Sequence, residues 1–340
     1  MEVTTKNIIT FCLAKVIVTY SLYYFLQSFF NENLLAYPDW YSAYYGIKGS
    51  YCNQTLANIF YSRLICSLNI SDVSELTPIF LASSINILIS IGYFLLFKPY
   101  LNKKGQIAFL MVMIFHPYLA IYMPRFYTDI FGSIGIFIVA YFSLKKIGIN
   151  WLLIILSTIL MNFRNSLIPV FLMYSILEMI NLWIKERKLD YRHLLLIFIC
   201  VTNITLYSGY IDAFFLIREP EDQVSLESII TKFIFLLGFR EGIANDIVSS
   251  GGFFSFTFDE YSSYYLLQII ISALIAVIHL IGIIFSSKKL AKINLSIFSI
   301  YFYVIPTLLK VSFMRFLIPL LPVVIFGLCY EFFKSRKYKT

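Results

Sequence analysis

Two short stretches concentrate the side chains that could hold an anionic leaving group or move a proton. In HPYLAIYMPRFYTDIFG, Arg125 and Asp129 stand four positions apart, with Pro124 before them and Tyr127 between. On a helix that spacing puts both on one face, one turn apart. A guanidinium offers a planar fork of donors that fits phosphate or carboxylate, and a neighbouring carboxylate can take the proton of an attacking hydroxyl. The same pair could also simply lock a helix end. In NENLLAYPDWYSAYYG, Asp39 lies among Tyr37, Trp40, Tyr41, Tyr44 and Tyr45. Apolar rings beside a carboxylate favour its proton-bound form, as a general acid or base requires, and such rings stack on sugar faces. A Tyr/Trp belt at a membrane boundary with an N-capping Asp reads equally well from these letters.

Further cations come from distant parts of the chain: Arg164 in NFRNS, Arg240 in GFREG, and Lys310 and Arg315 in LLKVSFMRFLIPLLP, where Pro319 and Pro322 follow. Arg164 occupies a tight turn of a kind that usually takes Gly, Asn or Ser. It either reaches the interface or points into a shared cavity. Arg125, Arg164, Arg240, Lys310 and Arg315 together suit a phosphate or diphosphate carried on a lipid. Each also has a plain structural reading, as an ion pair, a solvated loop or a snorkelling side chain. The chain has no GxxxxGK[ST] loop, no HExxH and no DxD pair, and His116, His193 and His279 lack metal-ligand spacing. His116, followed by Pro117, reads as a core histidine in preference to a catalytic one. No metal and no cofactor are expected.

The elements that must position these residues follow from composition. Of 340 residues, 59% are hydrophobic and 14% charged, against about 25% charged in a soluble domain. The apolar residues fall in runs near the length that crosses a bilayer. This argues against a soluble enzyme, a secreted disulfide scaffold and a disordered tail. The expected fold is all-α, a single polytopic transmembrane domain over 1–340 with ten spans near 8–30, 78–97, 107–123, 128–144, 149–163, 166–184, 194–211, 264–285, 295–313 and 314–333. The first run is expected to stay as an anchor, without cleavage.

Most of the 27 Lys and Arg residues fall on alternate connections, which places both termini in the cytoplasm. The net charge of +8 is then topological, and no nucleic-acid partner is expected. The remaining connections include two long external loops, 31–77 and 212–263, and carry mostly Arg and most of the acids. The working face is therefore expected outside. Cys12, Cys200 and Cys329 lie in apolar runs, whereas Cys52 and Cys66 share the first loop and could pair in an oxidising compartment.

The stretch PRFYTDIFGSIGIFIVAYFSLKK through INWLLIILSTILMNFRNSLIPVFLMY resembles the core of O-antigen (Wzy-type) and EpsG-like polysaccharide polymerases. There an Arg opens a span that ends in Lys residues and the next span ends at a polar turn. Where the EpsG-like pattern has His before Ser, Asn165 stands here. The chain also resembles GT-C glycosyltransferases, through Asp39 in the first outer loop, Tyr127-Thr128-Asp129 and the late Arg315-Phe316…Pro319…Pro322. Both resemblances imply glycosyl transfer at the outer face from a polyprenyl-phosphate carrier. The polymerase resemblance implies an enzyme of a bacterial inner membrane, active on its periplasmic face. It would move a growing glycan from undecaprenyl diphosphate to a lipid-linked repeat unit. Its substrate is an undecaprenyl-diphosphate-linked oligosaccharide, and its companions are a chain-length regulator and a flippase. In that scheme Asp39 or Asp129 is the base, Arg125 steadies the leaving group, and Arg164, Arg240, Lys310, Arg315, Trp40 and Tyr127 hold substrate. The alternatives are a GT-C transferase adding one sugar, and a flippase or transporter using the same cations without bond making.

Overall fold

The structure is a computed structural model that describes residues 5–30, 47–48, 66–70, 72, 74, 77–116, 119, 129–187, 189–206, 263–304 and 318–333. Among them every regular element is helical and no strand occurs. The elements are α1 (Thr5–Phe30), α2 (Thr77–Phe97, continued by the 3-10 turn Lys98–Tyr100), α3 (Lys103–Phe115), α4 (Asp129–Lys145), α5 (Trp151–Phe163), α6 (Ile168–Glu186), α7 (Tyr191–Leu206), α8 (Ser263–Ile293), a 3-10 helix (Leu295–Tyr303) and α9 (Leu321–Phe333). Each of the ten expected ranges overlaps one of these segments. Phe80–Tyr100 and Asn165–Glu186 are long and apolar enough to cross a membrane by length and composition.

Local chemistry sets the boundaries. Three starts are capped by asparagine. Asn102 Oδ1 accepts from Gly105 N and Asn150 Oδ1 from Leu153 N, both at 2.9 Å, and Asn294 Oδ1 accepts from Ser296 N at 3.2 Å; each satisfies an amide that lacks an intrahelical partner. The α6 helix stops at Arg187 in the left-handed conformation, φ 54°. The α3 helix is shorter than the expected 107–123 because His116 precedes Pro117, which disfavours helical backbone at His116. His116 accordingly takes φ −65°, ψ 117°.

The 3-10 helix is the other departure, since an α-helix was expected over 295–313. Its nine residues exceed the usual 3–4. Side chains hold it from three directions. Ser296 Oγ donates to Glu178 of α6, Tyr301 Oη to Ser286 Oγ of α8 at 2.8 Å, and Asn294 Nδ2 to Ser143 O of α4 at 2.5 Å. This slimmer helix packs against α6, α8 and α4.

Around it, α7 lies on α6, α9 on α8 and α3, α4 on α2, and α1 on α3. Phe97 and Phe326 stack at 3.8 Å in the core. Where α8 crosses α9, a Cβ on Gly327 would stand 2.3 Å from Ser286 Cβ and 2.9 Å from its Cα, so only glycine permits that contact. The outward helix faces are apolar. Ile9, Leu13 and Ile17 follow one another at helical spacing on α1, as do Leu152, Ile155 and Ile159 on α5, and all are exposed.

Two ends of the bundle can be told apart. At one, Tyr100 Oη donates to Leu144 O at 3.1 Å, Asn102 N to Phe333 O at 2.8 Å, and Lys289 pairs with Glu331 at 2.7 Å. Lys98, Lys103, Lys104, Lys145, Lys146, Lys288 and Lys292 belong to the segments that meet there. Arg164 lies at the other.

Candidate functional site

At the second end, α5 terminates at Arg164, whose amide still bonds Leu160 O at 2.8 Å while its backbone turns extended. The 3-10 turn Asn165–Leu167 then leads into α6, with Leu167 N donating to Arg164 O at 3.0 Å. This turn directs the half-buried Arg164 inward, and Nε donates to Tyr303 Oη at 3.3 Å. Arg164 therefore points toward the Tyr303 end of the 3-10 helix. Beside it Asn165 Oδ1 is buried and accepts no hydrogen bond.

Two further elements meet the Tyr303 hydroxyl. Gly132, in the first turn of α4, comes so close that a Cβ there would lie 2.4 Å from Tyr303 Oη and 3.3 Å from Pro319 Cγ. One turn on, a Cβ at Gly135 would meet Leu167 Cδ1 at 2.6 Å. The start of α4, the Arg164 turn, the end of the 3-10 helix and Pro319 ahead of α9 therefore share one small region. Phe131 and Phe163 stack across it at 4.5 Å. The first long loop also reaches it. Ile47 packs with Ala82 of α2 and Ile130 of α4, and its carbonyl accepts from Ile70 N at 2.9 Å.

Of the residues singled out by sequence, Arg164 is thus placed with its partners. Asp129 is the first residue of α4, three positions before Gly132. Asp39, Trp40, Arg125, Tyr127, Arg240, Lys310 and Arg315 lie outside the described residues, and with them the Arg125–Asp129 pairing. Cys66 is disulfide-bonded, whereas Cys12, Cys200 and Cys329 are free thiols. Among the described residues no three of His, Cys, Asp and Glu gather to hold a metal ion.

Sequence reasoning missed a second cluster. Lys15, only 2% exposed, donates to Ser90 Oγ at 2.9 Å and to Met113 O at 3.1 Å. Met113 belongs to the last turn of α3, and its carbonyl has no helical amide to accept from, because the residue four positions on is Pro117. An ammonium there satisfies a carbonyl and meets the negative end of the helix dipole. Three residues on, His116 Nε2 lies 2.7 Å from His279 Nε2 of α8, one nitrogen donating to the other, with the rings stacked at 4.8 Å. The signal was available: a lysine inside an apolar run and a His-Pro break inside another.

Compared with known protein families, characterised proteins and solved structures, the chain shows no match.

Proposed function

We propose that the chain is a polytopic membrane glycosyltransferase, a polymerase that extends a surface polysaccharide at the outer face of a bacterial inner membrane. The membrane part of this reading rests on the outward apolar faces, which water would not tolerate over so large an area, and on the collection of lysines at one end. A disulfide at Cys66 agrees with a first loop in an oxidising compartment.

The observation that carries the catalytic part is the inward-turned Arg164 at the Tyr303 hydroxyl, where the α4 start that bears Asp129 and the Pro319 segment that follows Arg315 come together. A guanidinium held there neutralises the diphosphate that departs with undecaprenol. Asp129 or Asp39 takes the proton of the attacking sugar hydroxyl, and the hydroxyl oxygen bonds the anomeric carbon as the carbon–oxygen bond to diphosphate breaks. Arg125, Arg240, Lys310 and Arg315 complete the anion site, with Trp40 and Tyr127 against the sugars.

The same convergence serves a GT-C transferase that adds one sugar, and gene deletion separates the two. Loss of a polymerase leaves the lipid core with a single repeat unit, whereas loss of a branching enzyme leaves full-length ladders of altered serology. The buried Lys15–His116–His279 cluster favours a third reading, a proton-coupled flippase, which predicts repeat units stranded on the cytoplasmic leaflet. The polymerase reading is tested by Arg164→Ala in cells that assemble the polysaccharide. Collapse of the ladder to one repeat is expected, and unchanged long ladders would refute it.

A further inference from the structure

Glu178 of α6 is 9% exposed. A carboxylate taken out of water is strongly disfavoured unless positive charge or full hydrogen bonding replaces its hydration. Among the described residues no Lys, Arg or His forms an ion pair with it. Its hydrogen bond comes from Ser296 Oγ.

The surroundings are polar and incompletely bonded. Tyr174, one turn earlier on α6 and 0% exposed, has its hydroxyl in electrostatic reach of Glu178 and beside the Ser143 hydroxyl. Neither hydroxyl makes a hydrogen bond of good geometry, and Ser143 is also 0% exposed. From the start of α7, His193 is 1% exposed, lies within electrostatic reach of Glu178 and has both ring nitrogens without hydrogen bonds. It is brought there by Ser175 Oγ, which donates to His193 O at 2.9 Å. Buried polar atoms left unbonded are rare in native proteins, and here three elements, α4, α6 and α7, contribute them to one group that includes the Glu178 carboxylate.

We infer that Glu178, Ser296, Tyr174 and Ser143 bind one alkali-metal cation. One negative charge with three neutral hydroxyl oxygens suits a hard monovalent ion. A divalent ion would call for more carboxylates, and a transition metal for more nitrogen or sulfur than His193 supplies. The cation neutralises Glu178 and ties α4, α6 and the base of the 3-10 helix together. That helix rises about 14 Å from Ser296 to Tyr303 at about 2 Å per residue, so the ion fixes the rod that ends at Arg164.

The test uses the full chain in nanodiscs, with choline chloride replaced stepwise by NaCl at constant ionic strength and thermal unfolding followed by tryptophan fluorescence. A saturable rise in Tm with Na+ is expected. Glu178→Gln, which preserves size and an acceptor for Ser296, abolishes the rise. Tyr174→Phe and Ser143→Ala each require several-fold more Na+. Identical unfolding in NaCl and choline chloride overturns the inference and leaves ordered water as the occupant. A Na+ response undiminished in Glu178→Gln also overturns it. Should that variant fail to fold, an undiminished response in both Tyr174→Phe and Ser143→Ala has the same force.

Discussion

Arg164 donates through Nε to Tyr303 Oη at 3.3 Å, joining residues 139 positions apart in the chain. The bond is long for its type, and it fixes the direction in which the guanidinium points. Tyr303→Phe retains the ring and loses the acceptor. Polymer synthesis in this variant should fall by about five- to tenfold, the equivalent of one hydrogen bond of about 1 kcal/mol, with Tm little changed. The readout is the amount of long ladder per unit of protein.

Gly132 separates packing from chemistry at the same point. Its absent side chain leaves room for the Tyr303 hydroxyl and Pro319, and Gly132→Ala forces them back. Overpacking of this kind costs about 1–3 kcal/mol. In thermal unfolding Gly132→Ala should lower Tm, and adding Tyr303→Phe should restore part of the loss. Independent, additive effects would contradict the contact.

The His116–His279 couple calls for a different experiment. Removing either ring leaves the other buried without this partner, at a cost of about 1–3 kcal/mol. Removing both spares that penalty. His116→Ala and His279→Ala should each destabilise the protein, and the double variant should lose clearly less than their sum. Denaturation of the four proteins in one detergent provides the cycle.

Acid stability has a local component at the α6–α7 connection. The Arg192 guanidinium hydrogen-bonded to Asp190 holds that carboxyl below its ordinary value of 3.8, aided by the Arg192 amide. A depressed carboxyl stabilises the fold above its unfolded value, and the stabilisation disappears as pH falls through the lower folded value. Both side chains remain partly open to solvent, which screens the pair and keeps the effect small. Asp190→Asn should lower Tm slightly at neutral pH, and the difference from the parent should vanish as pH falls below the ordinary Asp range.

Much of this helical architecture can be read from the letters, because hydrophobic runs report on burial directly. The Asn caps at 102, 150 and 294 and the His-Pro stop of α3 are local signals of the same kind. The 3-10 geometry of Leu295–Tyr303 is not, since it is imposed by Glu178, Ser286 and Ser143 from other helices. Arg164 could be picked out as unusual for a turn, whereas its partner Tyr303 could not: one tyrosine of 26 carries no mark of pairing with a residue 139 positions away. Lys15 carries no mark in the letters beyond its place in an apolar run, whereas its burial requires a partner that only the fold supplies, the Met113 carbonyl at the end of α3.

The account depends on arginines from separate helices facing one anion site at the outer end. Arg125→Cys, Arg164→Cys and Arg315→Cys, each made without Cys12, Cys200 and Cys329 but with Cys52 and Cys66 retained, can be labelled in sealed spheroplasts and in inverted vesicles with a membrane-impermeant maleimide. All three should react from the periplasmic side and be protected by undecaprenyl diphosphate. Labelling of any one of them from the cytoplasmic side would contradict the account.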